Sequence, residues 1–476
     1  MNNFETIIGI EIHVELKTKT KMFSPAGIDF NAEPNTKAHQ IDLAYPGTLP
    51  QVNKIAVEYG IKLAKALNMQ IDDELHFDRK NYFYPDLPKG YQITQFFRPI
   101  GSNGYVEIQT SDGLKQIGIE RIHLEEDTAR QHHDDLVTKL DYNRAGIPLI
   151  EIVTYPVIRS GEEAALYVDM IRKIVQFLDI SEGKLEQGTL RADINISLKP
   201  YGVDKFGTKV EIKNMNSISN IKKAIDNEIK IQKEKLLKGE EILQQTKRFD
   251  DQTNTNVVMR TKTGSVDYKY FADPNIPIIK LSQAFIDNVK LNELPNQKVK
   301  RYKDANIADI YINSLIDDIP LANYFDSIDY DNKEALSKIF FSEVVSLANA
   351  QNKHVIDLDI KPEYLVQSLQ LLNQEIISSK SLKKLITLLP SYKGDINDLL
   401  DAHKLKQITD KNIIASYIDA IIKNNISMLD EYETRPERVI KFILGALMKE
   451  TNGQVNPQLS NDIVLEKINE FIKQKN

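Results

Sequence analysis

Residues 7–17, IIGIEIHVELK, decide the fold of the first part of the chain. Apolar side chains occupy every second position from Ile8 to Leu16, and mainly polar ones stand between them. Because successive side chains of a strand point to opposite faces, this alternation predicts a half-buried strand. Glu11 and His13 then lie about 6.6 Å apart on the polar face, at about 3.3 Å per residue. The pair can share one divalent cation, and the alternative is a solvated strand face with an incidental histidine.

The composition limits the class of protein. A chain of 476 residues is too long for one core and favours two or three domains. It contains no cysteine, which excludes disulfides and cysteine nucleophiles and fits a reducing cytoplasm. No stretch approaches about 18 consecutive apolar residues, and the amino terminus lacks signal-peptide features, so neither a membrane span nor a secretion signal is expected. The net charge of −7 means that any nucleic-acid contact must come from local patches.

Strand and helix patterns divide the chain into three predicted domains, 1–295, 296–405 and 406–476. In the first, strands follow one another without regular helical crossovers, which favours an α+β domain with a mixed or antiparallel sheet. Its predicted strands are 7–17, 105–109, 116–123, 148–153, 192–198 and 208–213, and its predicted helices are 55–67, 160–178 and 219–238. The second range predicts a helical domain, and the third predicts a small all-α tail domain.

Several acids stand in or beside apolar strands. They are Glu126 in HLEED, Glu151 in IPLIEIV and Asp193 in LRADINISL. An unpaired buried charge is costly, so each acid needs a partner. One alternative is internal ion pairing, for which the available basic side chains are Arg144, Arg191 and Lys213. The other collects these acids with Glu11 and His13 in an oxygen-rich site with one imidazole, which suits Mg²⁺ or Mn²⁺ better than zinc.

Residues 78–95, DRKNYFYPDLPKGYQITQ, place aromatic side chains beside basic ones and include two prolines. Rigid aromatics next to cations suit stacking on unpaired bases and contact with phosphates. The alternative is an aromatic loop packed into a core. The chain has no P-loop, no GxGxxG motif opening a helix and no kinase catalytic-loop pattern. The sequence therefore contains no standard nucleotide-binding motif.

The order of longer motifs resembles the B subunits of the aspartyl/glutamyl-tRNA(Asn/Gln) amidotransferases, over essentially the whole chain. The motifs are IGIEIHVEL (8–16), FNAEPN (30–35), DLAYPGTLP (42–50), residues 78–95, RIHLEED (121–127), DYNRAGIPLIEIV (141–153), EQGTLRADINISL (186–198), VEIKNMNS (210–217) and LMKETNGQVNPQL (447–459). Long motifs shared in order are far more specific than a single glycine pattern.

The resemblance implies a heterotrimeric ligase. Its amidase-type A subunit releases ammonia from glutamine, and its small C subunit braces the complex. The B subunit uses ATP and Mg²⁺, or Mn²⁺, to phosphorylate the side-chain carboxylate of Glu-tRNA(Gln) or Asp-tRNA(Asn), and channelled ammonia displaces the phosphate. In this scheme 1–295 is a catalytic cradle domain, and 406–476 contacts the tRNA body. The sequence does not decide between the glutamine and asparagine pathways.

The resemblance also implies roles for particular residues. Lys80 is expected to face phosphate or the aminoacyl end, and Tyr82 and Tyr84 to support the terminal adenosine of the tRNA. The catalytic and metal-binding residues that carry over are Glu11, His13, Glu126, Glu151 and Asp193.

Two of the chain's departures from the family pattern concern the first predicted domain. Many members hold zinc with two cysteine pairs, whose positions here carry Ser24, Ala26, His39 and Asp42, so no structural zinc is expected. The family's DYRYFP is DYKYFA at 267–272, where Lys269 lacks the planar fork of arginine and Ala272 replaces proline. Two other functions stay open: a non-catalytic RNA-binding or assembly protein, and a metal-dependent hydrolase that needs no ammonia donor.

Overall fold

The computed structural model describes residues 3–134, 136–213, 215–261 and 267–475. The chain divides into two compact units, Met1–Lys298 and Val299–Asn476. The first contains strands and helices, and the described part of the second is helical. The α+β class expected from the sequence is confirmed. The division into three domains stays a prediction.

A long sheet forms the framework of the first unit. Its nine described strands are β1 (Phe4–Glu15), β2 (Gln70–Ile71), β6 (Gly101–Thr110), β7 (Gly113–Glu126), β10 (Pro148–Thr154), β11 (Leu190–Pro200), β12 (Val210–Lys213), β13 (Gln245–Asp250) and β14 (Thr255–Thr261). They run in the order β14-β13-β12-β11-β1-β10-β7-β6-β2, and neighbours are antiparallel except for the parallel pair β12–β13. Strand β1 therefore lies between two strands that come much later in the chain.

Three helices cover one face of this sheet. They are α1 (Lys54–Ala66), α2 (Gly161–Phe177) and α3 (Ile218–Leu237). The Ser160 hydroxyl caps α2 by accepting from the Glu163 N–H at 3.1 Å. Ile10 and Ile12 of β1 are fully buried on the helix-covered face. The alternating polar residues of β1 therefore point to the other face, which no helix of this trio covers.

Shorter sheets flank the long one. Strand β4 (Asp78–Asn81) lies between β5 (Tyr91–Thr94) and β15 (Phe271–Ala272), so the aromatic-basic stretch is a hairpin joined by a segment from far along the chain. The remaining described pairs join β3 (Glu74–Leu75) to β16 (Ile279–Lys280) and β8 (Arg130–His133) to β9 (Thr138–Asp141).

The rest of the described chain is helical. No helix in the described ranges combines the length and apolarity needed to cross a bilayer. The helices are α4 (Gln283–Asn288), α5 (Pro295–Asp304), α6 (Asp309–Asp317), α7 (Ile319–Asp326), α8 (Lys333–Ile339), a π-helical turn (Phe340–Val345), α9 (Ser346–Ala350), a 3₁₀ turn (Val355–Leu358), α10 (Pro362–Asn373), α11 (Ser379–Leu388), α12 (Ile396–Ala402), α13 (Lys411–Asn424), α14 (Ile426–Leu429), α15 (Pro436–Glu450) and α16 (Pro457–Lys475). A core of aliphatic side chains between Ile414 and Ile468 holds α13, α15 and α16 together.

Candidate active site

A row of ionisable side chains crosses the polar face of the long sheet. His13 on β1 pairs with Glu151 on β10, and Glu151 pairs in turn with His123 on β7. On its other side His13 pairs with Arg191 on β11. Because residues directly opposite one another on paired strands point to the same face, this register alone brings the four side chains together.

Three of the side chains in this region are placed to share a cation. One ligand atom from each of His13, Glu125 and Glu151 lies within 4.8 Å of the other two. His13 Nε2 is 3.5 Å from Glu151 Oε2, and both carboxylates are buried. Two buried carboxylates with an imidazole form a mostly oxygen donor set, which fits Mg²⁺ or Mn²⁺. We call His13, Glu125 and Glu151 the acid–imidazole cluster.

The charges within the cluster favour ionised acids. Burial opposes ionisation of Glu151, yet the two histidines hold its pKa well below the usual range. Burial likewise opposes the charged form of His123, but Glu151, 3.1 Å from its Nε2, raises the pKa of His123 to about 9. Burial also opposes the charged form of His13, and Glu151 raises its pKa. The ionised carboxylates can ligate a cation, and His13 joins them as a ligand when it gives up its proton, because imidazole ligates a metal only in its neutral form.

Hydrogen bonds behind the cluster orient Glu125. The Gln92 Nε2 donates to Glu125 Oε1 at 3.0 Å and to the Glu126 carbonyl at 2.8 Å. The Tyr82 hydroxyl donates to Gln92 Oε1 at 2.6 Å. Tyr82 therefore acts through Gln92 on Glu125, whereas the side chain of Tyr84 is exposed. Such outer partners fix the direction of a ligating carboxylate.

Lys80 brings positive charge to the same place. It lines the cavity that also contains His13 and Glu125. Burial opposes its charged form, but Glu125 and Glu151 raise the pKa of Lys80. Its Nζ also lies 5.3 Å from the centre of the Tyr268 ring. A permanently charged ammonium beside the acids is suited to contact an anionic substrate.

Glu126, which the resemblance placed in the metal-binding set, points away from the cluster. Its carboxylate pairs with Lys89 and accepts from the Ile93 N–H at 3.0 Å. The neighbouring Glu125 takes the place beside His13 and Glu151. The physical reason is the two-residue period of a strand, since Glu125 shares a face with His123 and Glu126 does not. The alternation in RIHLEED already places Glu125 on the face of His123, and the metal-binding role expected for Glu126 stays a prediction.

Glu11 on β1 and Asp193 on β11 lie opposite each other, two residues along the same face from the pair of His13 and Arg191. Glu11 Oε1 accepts from Asn195 Nδ2 at 3.1 Å, and burial followed by repulsion from Glu151 and Asp193 raises the pKa of Glu11. Asp193 forms an ion pair with Lys213 at 2.6 Å. Glu11 is thus electrostatically linked to the cluster, and Asp193 has an internal basic partner.

A cavity of about 560 Å³ opens over the cluster. Both basic and acidic side chains line this cavity, so its wall carries charges of both signs. The residues that matter here are His13, Lys80, Glu125, Arg191, Asp193 and Lys213. A divalent ion on such acids, together with lysines and an arginine, neutralises the negative charge of phosphates in phosphoryl-transfer sites.

Asp42, one of the four positions at which relatives were expected to carry zinc ligands, belongs to a buried ion pair with Lys21. Lys21 Nζ donates to Asp42 Oδ2 at 3.0 Å and to the Tyr142 carbonyl at 3.3 Å. Asp42 Oδ2 also accepts from the His39 N–H at 2.9 Å. Ser24 accepts from the Ala26 N–H at 3.4 Å. This ion pair therefore links the two segments that contain the four positions.

The other departure lies next to the aromatic-basic hairpin. The side chain of Lys269 is exposed, and its carbonyl accepts from Asn81 Nδ2 at 2.9 Å. Its backbone has φ of 45°, in the left-handed region. Ala272 pairs with Asp78 in the short sheet. Lys269 thus contacts β4 through its carbonyl and Ala272 through backbone pairing, and neither contact requires an arginine side chain at position 269.

Comparison with known proteins identifies the family. Residues 6–287 match a model described as the GatB/GatE catalytic domain, and 323–468 match one described as the GatB domain. The B subunit of the aspartyl/glutamyl-tRNA(Asn/Gln) amidotransferase from Mycoplasmopsis agalactiae is 64% identical over 473 residues, covering 99% of this chain and 100% of its own. The same subunits from Mycoplasmopsis synoviae and Mycoplasma mycoides subsp. mycoides SC are 62% and 50% identical, again over nearly the whole length of both chains.

The matched family model and the relatives define the class, a subunit of a multi-subunit ligase of the glutamine-dependent amidotransferase kind. At these identities the chain belongs to the family of aspartyl/glutamyl-tRNA(Asn/Gln) amidotransferase B subunits. The family expected from the motifs is confirmed.

Proposed function

We propose that this chain activates the side-chain carboxylate of tRNA-bound glutamate or aspartate with ATP, on the acid–imidazole cluster. The chain is one component of a multi-subunit, glutamine-dependent amidotransferase that converts misacylated Glu-tRNA or Asp-tRNA to Gln-tRNA or Asn-tRNA. The observation that supports the activation role is the convergence of His13, Glu125 and Glu151, two of which, His13 and Glu125, line one cavity together with Lys80.

The chemistry explains why these residue types meet. The substrate carboxylate, the transferred phosphoryl group and the departing ADP are all anionic, so the protein's main tasks are positioning and charge neutralisation. A divalent ion held by His13, Glu125 and Glu151 supplies positive charge to the phosphate oxygens when bound. Lys80 contacts an anionic oxygen of a substrate from the cavity wall, and Tyr82 with Gln92 keeps Glu125 oriented. Glu11 adds negative charge next to the cluster and so strengthens its affinity for cations.

Ammonia must come from another component of the complex. The chain contains no cysteine that could act as the nucleophile of a glutaminase. We therefore assign glutamine hydrolysis to an amidase-type A subunit and bracing of the complex to a small C subunit, and we place the reaction in the cytoplasm. Residues 1–295 form the catalytic cradle, 296–405 a helical domain and 406–476 the part that contacts the tRNA body.

The test uses the assembled complex with Glu-tRNA(Gln), glutamine, ATP and Mg²⁺. We expect Gln-tRNA to form and ATP cleavage to depend on the charged tRNA. Glu11→Ala and His13→Ala should each abolish ATP-dependent activation while leaving glutaminase activity intact. Glu120→Ala, at a partly exposed acid paired with Arg121 on the same sheet, is the matched control and should retain both activities.

The outcomes separate this function from the two alternatives. Equal loss of both activities in the His13 variant would indicate a structural role for the cluster. Binding of tRNA without ATP cleavage would favour a non-catalytic RNA-binding protein. Turnover without an ammonia donor would favour a hydrolase.

A further inference from the structure

The turn that precedes β11 brings an acid to the cavity over the acid–imidazole cluster. Glu186 lines this cavity and is exposed to solvent. The Gly188 N–H donates to the Leu185 carbonyl at 3.0 Å, and the Thr189 N–H donates to the Lys184 carbonyl at 3.0 Å. Thr189 Oγ1 also accepts from the Lys184 N–H at 2.9 Å. These bonds enclose Glu186 from both sides, so the turn holds its backbone in a fixed place at the cavity.

The other acids that line this cavity already have partners. Arg144 and Arg191 donate to Asp127, Lys213 pairs with Asp193, and Gln92 donates to Glu125. Among the described residues, the Glu186 carboxylate has no ion pair and accepts no hydrogen bond. Of the acids at this cavity, Glu186 is therefore the one whose charge is free to bind a cationic group of a ligand.

The substrate of the reaction carries such a group. In Glu-tRNA or Asp-tRNA the amino acid is joined to the tRNA through its α-carboxyl group, so its α-amino group stays free and can carry a proton. The cavity also contains Lys80, Arg191 and Lys213, whose positive charges repel an ammonium. An α-ammonium that enters this cavity therefore needs a carboxylate that no internal cation has neutralised.

We propose that Glu186 binds the α-ammonium of the tRNA-bound glutamate or aspartate and so selects substrates with a free amino group. This inference rests on the proposed function and adds a specificity-determining residue to it. Arg191, on the strand that follows the turn, lies directly opposite His13 in the sheet, so the turn and the cluster border one cavity. An amino acid held by its ammonium at Glu186 can extend its side-chain carboxylate towards the acid–imidazole cluster.

The test compares two substrates of the assembled complex, Glu-tRNA(Gln) and α-hydroxyglutaryl-tRNA(Gln). In the second, an uncharged hydroxyl of similar size replaces the ammonium. A hydrogen bond to a charged group is worth about tenfold or more in an equilibrium constant, and exposure to solvent reduces this. We therefore expect Glu186→Gln to raise the KM for Glu-tRNA(Gln) about 3- to 10-fold, while the KM for the hydroxy substrate stays unchanged. ATP cleavage is the measured reaction.

Two further variants show whether the charge of Glu186 is responsible. Glu186→Asp keeps the carboxylate on a shorter side chain, and it should recover part of the preference for the free amino group. Glu240→Gln is the matched control, because Glu240 is an exposed acid just after α3 that does not line this cavity. This control should keep both KM values, and all variants should keep the unmodified melting temperature.

An equal rise of both KM values in Glu186→Gln would overturn the proposal, because the ammonium would then not be the group that Glu186 contacts. Unchanged KM values for both substrates would overturn it as well. Failure of the proposed function looks different, since the unmodified complex would then show no ATP cleavage dependent on Glu-tRNA(Gln), whatever the Glu186 variants do.

Discussion

Replacing Gln92 with methionine tests how the cluster is held. The side chain of Gln92 is buried, and it makes three hydrogen bonds, to Tyr82, Glu125 and the Glu126 carbonyl. Methionine has a similar size but makes none of them, so Glu125 loses its orienting donor. A hydrogen bond to a charged group contributes about 1.5–3 kcal/mol, equivalent to about 10- to 150-fold in an equilibrium constant. Loss of an outer partner of a metal ligand typically weakens metal binding about 10- to 100-fold.

The two magnitudes agree, and we expect Gln92→Met to weaken Mn²⁺ binding about 10- to 100-fold. Free Mn²⁺ is measured by electron paramagnetic resonance during titration of the assembled complex. Gln116→Met is the matched control, because Gln116 lies exposed on β7 and donates to Glu107 at 3.2 Å, away from the cluster. Unchanged Mn²⁺ affinity in a folded Gln92→Met complex would show that Glu125 does not bind the ion.

Three further predictions follow from the site and the core. Glu125→Gln should reduce Mn²⁺ affinity far more than Glu126→Gln in the same titration, and the reverse order would assign the metal to the other face of β7. Lys21→Met should lower the free energy of unfolding by about 3–5 kcal/mol, because it leaves Asp42 buried without its cation. Urea unfolding measures this loss, and adding Asp42→Leu to Lys21→Met should restore part of the lost stability. A double variant no more stable than Lys21→Met would contradict the ion-pair explanation. Removal of 406–476 should weaken tRNA binding in filter assays while ATP cleavage at saturating charged tRNA persists, and unchanged tRNA affinity would contradict the assigned role of the tail.

The sequence predicted the strands of the site well because their pattern is local. The alternation of 7–17 predicted β1, which is Phe4–Glu15, and the runs around Glu151 and Asp193 are β10 and β11. Which strands become neighbours is a long-range property. The position of β1 between β10 and β11 aligns His13 with Glu151, and no spacing within the sequence specifies that register.

Some strands could not be predicted from local patterns. No strand was predicted for the aromatic-basic stretch, yet it forms β4 and β5, and β15 joins β4 through backbone pairing from almost two hundred residues away. Strands β13 and β14 were also missed, because 245–261 has only weak apolar alternation.

Location of bound Mn²⁺ tests the metal site most directly. Crystals of the assembled complex are soaked with Mn²⁺ and AMP-PNP, and anomalous differences are recorded at the manganese edge. We expect a peak bounded by His13 Nε2 and the carboxylates of Glu125 and Glu151. A map with manganese elsewhere on the chain, and none among these three side chains, would contradict the assignment of this cluster to activation of the tRNA-bound acid.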